Sequence, residues 1–388
     1  MKILIINETG IKGGGAETRI KSLIKRMIKD PDIDQIHLLE ISKKTISHSS
    51  KKFFHHKCSL ISSYSFTDKV LLKYHIDLVQ VHNIPRSFGV PLIPVLKRKV
   101  PIIFYAHDYW PICPRSVLMD PFSYETCNCE DKKRNCFLCS GIKSWLRFKI
   151  NKFFINKANY GISPGKKSKS IFEKNGLLNG KWEIIKPWVT INTENDIIKK
   201  EKDYVSIVFV GSLMPYKGAH VFAEAIKILK RKDIKIFIIG DNQESNNVFK
   251  NYIEKILYGL PNIYFLGWYK RKQLHAFLSQ TDILIMPSVC SELFGLVWAE
   301  AVCLCNFVVG SSVGGLSEYL GQVGLVFKNG DAEDLAEKIN FCIEKNLYKD
   351  KKLLEKNKMF IKENFFMEKA YKEIKFLYLE KVLKQNAN

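Results

Sequence analysis

The chain has 388 residues, of which 46% are hydrophobic and 26% are charged, and this composition excludes a disordered or fibrous protein. The length is long for one hydrophobic core and sufficient for two domains. The formal net charge of +22 favours an anionic partner, although a drift towards lysine explains it equally well. We find no clusters of arginine with interleaved aromatic residues, so we expect no nucleic-acid partner.

The apolar run at the N-terminus is too short for a signal peptide. No other window approaches the roughly 20 apolar residues of a membrane-spanning helix. We therefore expect the chain in the cytoplasm. In that compartment its ten cysteines should be reduced or metal-bound rather than paired in disulfides.

Short apolar runs alternate with helical patterns along the chain. In the first half we predict strands at 2–7, 76–83 and 100–107, a helix over 16–29, and a second helix that opens at Ser163. The second half repeats the pattern, with strands predicted at 204–212, 234–242, 262–268, 282–288 and 306–312. Near-continuous apolar strands are typical of parallel sheets that are buried on both faces. The alternation predicts two doubly wound α/β domains that join near 186–195.

Ligands of such sheets bind beyond the carboxyl ends of the strands. After the first strand, Gly13, Gly14 and Gly15 precede a helix whose N-terminus favours a phosphate. A nicotinamide fingerprint that uses Glu40 is an alternative, but Thr18 occupies the third glycine position. A glycine-rich turn without a ligand is a further alternative.

Two loops of the second half carry charged candidates. Gly211 and Lys217 follow a predicted strand, and Lys217 is a candidate phosphate clamp. Glu292 precedes a predicted helix that begins near Gly295 and contains Glu300. No Lys or Arg lies three or four residues from Glu300, so a local salt bridge is excluded and sugar hydroxyls are suitable partners.

Together these motifs resemble the family 4 (group 1) retaining glycosyltransferases, which have the GT-B fold. The resemblance covers nearly the whole chain, and its most specific part is the Glu-x7-Glu element with Phe294-Gly295. The matching residues, in chain order, are Gly13-Gly14-Gly15-Ala16-Glu17, His107-Asp108, Gly211, Lys217-Gly218, Glu292, Phe294-Gly295, Glu300 and Gly314-Gly315-Leu316-Ser317-Glu318. The family fold implies two Rossmann-like domains that face each other across a cleft with a nucleotide-sugar.

The resemblance also implies the roles of individual residues. The predicted catalytic residues are His107, Glu292 and Lys217, with Lys217 balancing the charge of the diphosphate leaving group. The predicted nucleotide-sugar-binding residues are Gly14, Gly15, Asp108, Gly211, Ser212, Phe294, Gly295, Glu300, Gly314 and Gly315. Two positions depart from the family pattern: Ser212 stands where Arg is frequent, and Cys305-Asn306-Phe307 stands where Gly-x-Pro is usual. We assign no protein nucleophile and expect substitution on one face of the sugar.

The implied activity is that of a hexosyltransferase-type retaining enzyme in cell-surface polysaccharide synthesis. It would move sugar from a UDP-, GDP- or ADP-sugar to a glycan or lipid-linked acceptor without a catalytic cofactor. Alternatives are an NAD(P)-dependent oxidoreductase and a non-catalytic nucleotide-sugar-binding module. The predicted domains are 1–188 for the acceptor, with a Cys-rich insertion at 113–140, and 189–366 for the donor. A C-terminal helix at 367–388 can pack back on the first domain.

The insertion contains a cluster of cysteines in a polar stretch, which is poor core material. Four of the five could hold a structural zinc ion, and an iron–sulfur site is the alternative. The candidates are Cys113, Cys127, Cys129, Cys136 and Cys139. The motif HDYW…CPR at 107–115 with spaced cysteines is similar to a subset of the family. The basic segment 141–160 either packs on the first sheet or rests on an anionic membrane at its inner face.

Overall fold

The computed structural model describes residues 1–10, 14–41, 46–49, 52–120, 125–127, 132–191, 199–240 and 248–384. The chain divides into two compact units. Unit 1 comprises Met1–Leu118, Asn128–Trp188 and Met367–Asn388, and unit 2 comprises Met119–Cys127 and Val189–Phe366. Part of the predicted Cys-rich insertion, Met119–Cys127, therefore groups with unit 2.

Unit 1 is built on an eight-stranded sheet. Its strands are β1 (Lys2–Asn7), β2 (Gln35–Ile41), β3 (Ile46–Ser49), β4 (Phe53–Cys58), β5 (Leu78–Val81), β6 (Ile102–Tyr105), β7 (Tyr160–Ser163) and β8 (Trp182–Ile184). They lie in the order β3-β4-β2-β1-β5-β6-β7-β8, and every neighbouring pair is parallel except β3 with β4. Ile3, Leu4, Ile5 and Ile6 are completely buried, as expected for a strand covered on both faces.

The helices of unit 1 connect these strands and cover the sheet. They are α1 (Gly15–Ile28), α2 (Ser63–Tyr74), α3 (Leu92–Lys97), α4 (Lys132–Ile155) and α5 (Lys166–Lys174). α4 is kinked at Gly141, where φ is 71° and ψ is 164°.

The C-terminal helix also belongs to unit 1. It spans Met367–Phe376 and continues as π-helical turns over Leu377–Leu383. Tyr371 Oη donates to Asp30 Oδ2 over 2.8 Å, and Tyr378 Oη donates to Gln80 Oε1 over 3.0 Å. Both tyrosines are buried in the same apolar cluster as β1 and α1.

Unit 2 is built on a six-stranded parallel sheet in the order β11-β10-β9-β12-β13-β14. Its strands are β9 (Val205–Val210), β10 (Ile234–Ile239), β11 (Ile263–Gly267), β12 (Ile283–Met286), β13 (Phe307–Ser311) and β14 (Leu325–Phe327). Its helices are α6 (Ala219–Leu229), α7 (Val248–Leu257), α8 (Arg271–Leu278), α9 (Leu296–Cys303), α10 (Leu316–Leu320), α11 (Ala332–Glu344) and α12 (Lys351–Asn364).

Two α/β units with parallel sheets confirm the predicted fold class. The eight predicted strands are all present, with ends that differ by up to three residues. The predicted start of a helix at Ser163 is wrong, because Ser163 is the last residue of β7 and α5 begins at Lys166. The strands β2, β3, β4, β7, β8 and β14 were not predicted. Among the described helices, none has the length and hydrophobicity that crossing a lipid bilayer demands.

Candidate functional site

Two predicted residues of unit 2 meet at the carboxyl edge of its sheet. Lys217 closes a 3-10 turn after β9, and Glu292 lies in the loop between β12 and α9. Lys217 Nζ donates to Glu292 Oε1 over 2.7 Å, and Ser288 Oγ donates to the same oxygen over 2.5 Å. β9 and β12 are neighbours in the sheet, so the loops after them lie side by side.

The environment keeps this pair charged. Burial alone would raise the pKa of Glu292, but the charge and hydrogen bond of Lys217 and the hydroxyl of Ser288 lower it. Burial also opposes the charged form of Lys217, yet the Glu292 carboxylate outweighs this effect and raises the pKa of Lys217. An ammonium group has three N–H donors. Glu292 is the one hydrogen-bond acceptor of Lys217 Nζ among the described residues, so two donors remain for a ligand.

Glycines shape the loop that carries Glu292. Gly295 has φ of 69°, and a Cβ there would lie 2.6 Å from Glu292 Oε2. Gly314 has φ of 68°, and a Cβ there would lie 2.6 Å from the carbonyl oxygen of Glu292. The N–H of Gly315 donates to that same carbonyl over 2.7 Å. The predicted Gly314-Gly315 pair therefore supports the backbone of Glu292, and a side chain at position 314 would displace it.

The other predicted residues of unit 2 have separate surroundings. The N–H of Gly211 donates to the carbonyl of Ile239 over 3.0 Å, which continues the sheet pattern. Ser212 Oγ lies 3.3 Å from the hydroxyl of Tyr216. Phe294 is 1% exposed and its ring packs on other aromatic rings of the core. The part of Phe294 that suits a polar ligand is therefore its backbone N–H.

Glu300 is buried in α9 and finds partners that its own helix lacks. Its side chain accepts hydrogen bonds from Arg271 Nη2 at one oxygen and contacts His275 Nε2 at 3.2 Å with the other. Both partners lie on α8. Arg271 Nη2 also donates to Thr190 Oγ1 over 3.1 Å. The absence of a local salt bridge, noted in the sequence, is thus compensated by a neighbouring helix.

In unit 1, His107 belongs to a stack of aromatic rings at the carboxyl ends of β5 and β6. His82 Nδ1 and His107 Nε2 are 2.6 Å apart, and the ring of Tyr105 stacks on His107 with centroids 4.9 Å apart. Burial, then the neighbouring His82 and Arg19, hold the pKa of His107 well below its usual range. Both imidazoles are therefore neutral at pH 7. His107 Nδ1 is shielded from solvent and lacks a partner among the described residues.

Asp108 and Glu17 are neighbouring acidic residues beside this stack, and Glu8 directly follows β1. Burial raises the pKa of Asp108 to about 7; the N–H of Trp110, 2.8 Å from Oδ1, opposes this shift, and the Glu17 carboxylate adds to it. Burial also raises the pKa of Glu8 to about 7, against the N–H of Arg86. Glu17 itself accepts a hydrogen bond from Thr9 Oγ1 over 2.5 Å. Two carboxyl groups therefore titrate near neutral pH at the carboxyl edge of this sheet.

The glycine-rich loop is described in part, because Gly13 lies outside the described residues. Gly14 precedes α1 and Gly15 begins it. Among the described residues, a Cβ at Gly14 would meet only Glu17 Oε2, at 3.8 Å, which leaves room beside the backbone for a ligand. Glu40, the acidic residue of the nicotinamide alternative, is engaged by His55 Nε2 and Lys57 Nζ, each at 2.9 Å. Both of its oxygens have protein partners.

The predicted metal-binding cysteines are partly described. Cys113 is buried, Cys127, Cys136 and Cys139 are partly buried, and Cys129 lies outside the described residues. Within the described part of the chain, no group of three or more His, Cys, Asp or Glu side chains converges on a metal position. The zinc site therefore stays a prediction.

Five site residues were not predicted from the sequence: Ser288, Arg271, His275, His82 and Glu8. His82 and Glu8 directly follow strands, so the strand-end criterion that selected His107 would have found them. Arg271 and His275 precede Glu300 by 29 and 25 residues. No spacing signal connects these two residues with Glu300.

Comparison with known proteins supports one family. A family model described as glycosyl transferases group 1 matches residues 190–364. An uncharacterized glycosyltransferase of Methanocaldococcus jannaschii is 25% identical over 378 residues, which are 95% of this chain and 95% of that protein. The lipopolysaccharide 1,2-N-acetylglucosaminetransferase of Salmonella typhimurium is 30% identical over 126 residues, 31% of this chain and 33% of that protein.

A solved structure shows the same fold. The crystal structure of Anabaena HepE in complex with UDP-glucose has a TM-score of 0.72 and 18% identity, and the match covers 96% of this chain and 98% of that chain. The fold of the described chain is GT-B. The family match and the relatives support the group 1 glycosyltransferases, and they do not test the narrower assignment to family 4.

Proposed function

We propose that the chain is a group 1 glycosyltransferase that moves a sugar from a nucleotide-diphosphate sugar to a glycan or lipid-linked acceptor, with retention of configuration, in the synthesis of a cell-surface polysaccharide. The observation that carries the proposal is the Lys217–Glu292 pair at the carboxyl edge of the sheet of unit 2. Its ammonium group is fixed by Glu292, charged, and has donors left over. The related HepE structure contains UDP-glucose, which supports a nucleotide-sugar donor.

The reaction breaks the bond between the anomeric carbon and the diphosphate and forms a bond from the same carbon to an acceptor oxygen. The acceptor hydroxyl loses its proton to the departing diphosphate, so no protein nucleophile and no cofactor are needed. Negative charge accumulates on the diphosphate as the bond breaks. Lys217 is held by Glu292, which also accepts a hydrogen bond from Ser288, and is thereby placed to stabilise that charge. Fixed donors of this kind are an effective form of catalysis.

The remaining roles follow the family resemblance. Glu300 is assigned to the donor ribose, and its contacts with Arg271 and His275 hold the carboxylate in one orientation. Gly14 and Gly15 are assigned to the phosphates. His107 is assigned to the donor sugar, where a neutral ring with an unpaired Nδ1 suits a hydroxyl group. We expect His107→Ala to lower kcat by about 100-fold with little loss of stability.

A screen of nucleotide-sugars for thermal stabilisation tests the donor assignment. At a ligand concentration of 100 times Kd, binding stabilises the folded state by about 2.7 kcal/mol, which corresponds to roughly 5–10 °C for a unit of this size. We expect one of the UDP-, GDP- or ADP-sugars to reach this shift and Lys217→Met to reduce it. Stabilisation by NAD(P) without any response to nucleotide-sugars would overturn the proposal.

We also propose a peripheral contact between α4 and an anionic membrane. α4 buries Phe148 and Ile155 against unit 1 but exposes Leu138, Ile142 and Leu146, which are 70%, 64% and 49% exposed. Exposed apolar side chains next to lysines suit a lipid surface. Sedimentation with anionic liposomes tests this. Ile142→Glu should reduce binding, whereas Ile228→Glu, at an exposed position of α6, should leave it unchanged.

A further inference from the structure

A pocket in unit 1 gathers three of the nine arginines of the chain. The pocket has a volume of about 240 Å³, and Arg86, Arg115 and Arg147 all line it. Arg86 follows β5, Arg115 follows β6, and Arg147 lies on α4. Three separate parts of the fold therefore contribute an arginine to the lining of one pocket, in a protein whose basic residues are mostly lysines.

These arginines differ in their partners from four other arginines of the chain. Arg26, Arg98, Arg231 and Arg271 each form an ion pair with a carboxylate. Among the described residues, none of the three arginines of the pocket forms an ion pair with a carboxylate, although the charge of Glu8 interacts with Arg86 and Arg147. Arg86 and Arg115 are exposed to solvent. The Glu8 carboxylate does not balance three guanidinium groups, so the pocket keeps an excess of positive charge that suits an anion from outside.

Two buried polar groups of the pocket also lack partners. The side chain of Trp110 is 2% exposed, and its Nε1–H has no hydrogen-bond acceptor among the described residues. Asn151 is 1% exposed; its Nδ2 donates to the carbonyl of Pro85 over 2.9 Å, while its Oδ1 has no partner. An unpaired buried donor costs free energy. A ligand oxygen that reaches Trp110 Nε1 would remove that cost.

We propose that this pocket binds a phosphate or diphosphate group of the acceptor substrate, an assignment that rests on the proposed transferase function. Arginine forms paired hydrogen bonds with phosphate oxygens. Three arginines and the Trp110 N–H offer more donors than one carboxylate can accept. The volume lies below the roughly 300–1,000 Å³ of pockets for drug-sized ligands, so the pocket fits an anionic head group and not a whole nucleotide-sugar.

The pocket adjoins the residues assigned to the reaction. The N–H of Trp110 donates to Asp108 Oδ1 over 2.8 Å, and the N–H of Arg86 donates to Glu8 Oε1 over 2.6 Å. A phosphate held by the arginines would thus lie near the carboxyl edge of the sheet of unit 1. This position suits an acceptor.

A second cavity favours a lipid-linked source for the phosphate. It has a volume of about 250 Å³, its lining includes Ile112 and Trp145, and it shares Phe148 with the arginine pocket. An apolar cavity beside an anion pocket matches a lipid phosphate. A phosphorylated sugar is the other source of the same chemistry, and the experiment below separates the two.

Calorimetric titration with inorganic pyrophosphate tests the pocket. The titrations use the full chain with Lys217→Met, which removes the predicted donor-diphosphate clamp, so that the remaining binding reports on unit 1. We expect pyrophosphate to bind, and Arg115→Gln or Arg147→Gln to weaken binding by about tenfold or more. Lys143→Gln, an equal loss of charge at an exposed position of α4, should weaken it less than about twofold. Equal effects of all three substitutions would overturn the proposal.

Two further ligands identify the source. Binding of farnesyl diphosphate that is tighter than that of pyrophosphate indicates a lipid-linked acceptor, and tighter binding of glucose 1-phosphate indicates a phosphorylated glycan. Failure of both ligands to bind overturns the acceptor assignment. The donor test stays separate: Arg115→Gln should retain stabilisation by the nucleotide-sugar. A chain that binds pyrophosphate here but responds to no nucleotide-sugar would contradict the proposed function and leave the anion pocket intact.

Discussion

Replacement of Lys217 by methionine should damage stability and catalysis in ways that can be separated. The substitution removes the ammonium group that lies 2.7 Å from Glu292 Oε1 and leaves Ser288 as the remaining side-chain donor to that oxygen. The side chain of Glu292 is 11% exposed and that of Lys217 is 29% exposed. The variant therefore retains a largely buried carboxylate without its counter-charge.

The size of the stability loss follows from this burial. Removal of one partner from a fully buried pair costs about 3–5 kcal/mol, and the partial exposure of Lys217 reduces this to about 2–4 kcal/mol. The loss should be largest between about pH 5 and pH 10, where both groups are charged. As the pH falls below that range towards the lowered pKa of Glu292, the carboxylate takes up a proton and the difference between wild type and variant shrinks, because the ion pair stabilises the fold only while the carboxyl is ionised.

Catalysis should suffer independently. Loss of a fixed donor to a developing negative charge lowers kcat by about 100- to 1,000-fold. Adding Glu292→Gln to the variant removes the uncompensated charge, so we expect part of the stability to return while the rate stays low. Denaturant unfolding and a transfer assay on the same preparations measure the two effects.

A second lysine–carboxylate pair provides the control. Lys202 Nζ donates to Asp282 Oδ2 over 2.9 Å, and this pair lies at the amino edge of the same strands β9 and β12. Lys202 Nζ also donates to Ser206 Oγ and to the carbonyl of Gln280, each over 2.7 Å, so its three donors are all used. We expect Lys202→Met to cost a similar free energy of unfolding and to leave kcat within about twofold. Full turnover by folded Lys217→Met, or an equal loss of kcat in Lys202→Met, would refute the reasoning.

The remaining predictions concern three other residues. Because burial raises the pKa of Asp108 to about 7, the folded state holds an extra proton between about pH 4 and pH 7 and loses stability as the pH rises. Asp108→Asn should therefore be more stable than wild type at pH 8 by about 1–3 kcal/mol in denaturant unfolding, with no gain at pH 4; a gain independent of pH would contradict this. Glu300→Gln should raise the Kd of the donor about tenfold or more in calorimetry, and an unchanged Kd with full turnover would exclude Glu300 from the site. Elemental analysis should find about one zinc per chain, and Cys113→Ser should lower both the zinc content and the Tm, whereas Cys305→Ser should alter neither. A metal-free preparation with full activity would exclude the zinc site.

The fold was predictable where strands are apolar throughout. β1 and β12 are buried along almost their whole length, and a continuous apolar run is a direct consequence of burial on both faces. β2 and β4 contain histidines, a lysine and a glutamate. These polar residues interrupt the apolar pattern by which a buried strand is recognised in a sequence. They are tolerated because they pair across the strands: His37 Nδ1 lies 3.1 Å from His56 Nε2, and Glu40 is bound by His55 and Lys57.

The site was predictable only in part. The sequence indicates which residues follow a strand, but it does not indicate which side chains will contact each other in the folded protein. Lys217 and Glu292 were selected as residues that follow strands, and the structure brings them together since those strands are neighbours. The contact of Arg271 with Glu300 depends on how α8 packs beside α9. That packing is set by many apolar contacts, and no local pattern of charges encodes it.

The contacts of individual Lys and Arg side chains say more about the substrates of the chain than its net charge does. The excess of lysine over acidic residues fits compositional drift. Some of these cations, such as Lys202, use all three N–H donors in hydrogen bonds within the protein. Lys217 keeps donors free at the edge of the sheet of unit 2, and Arg115 and Arg147 line a pocket in which neither forms an ion pair among the described residues. Donors that are not used inside the protein remain available to the oxygens of a bound anion. These residues, and not the total of +22, are therefore the physical argument for phosphate-bearing substrates.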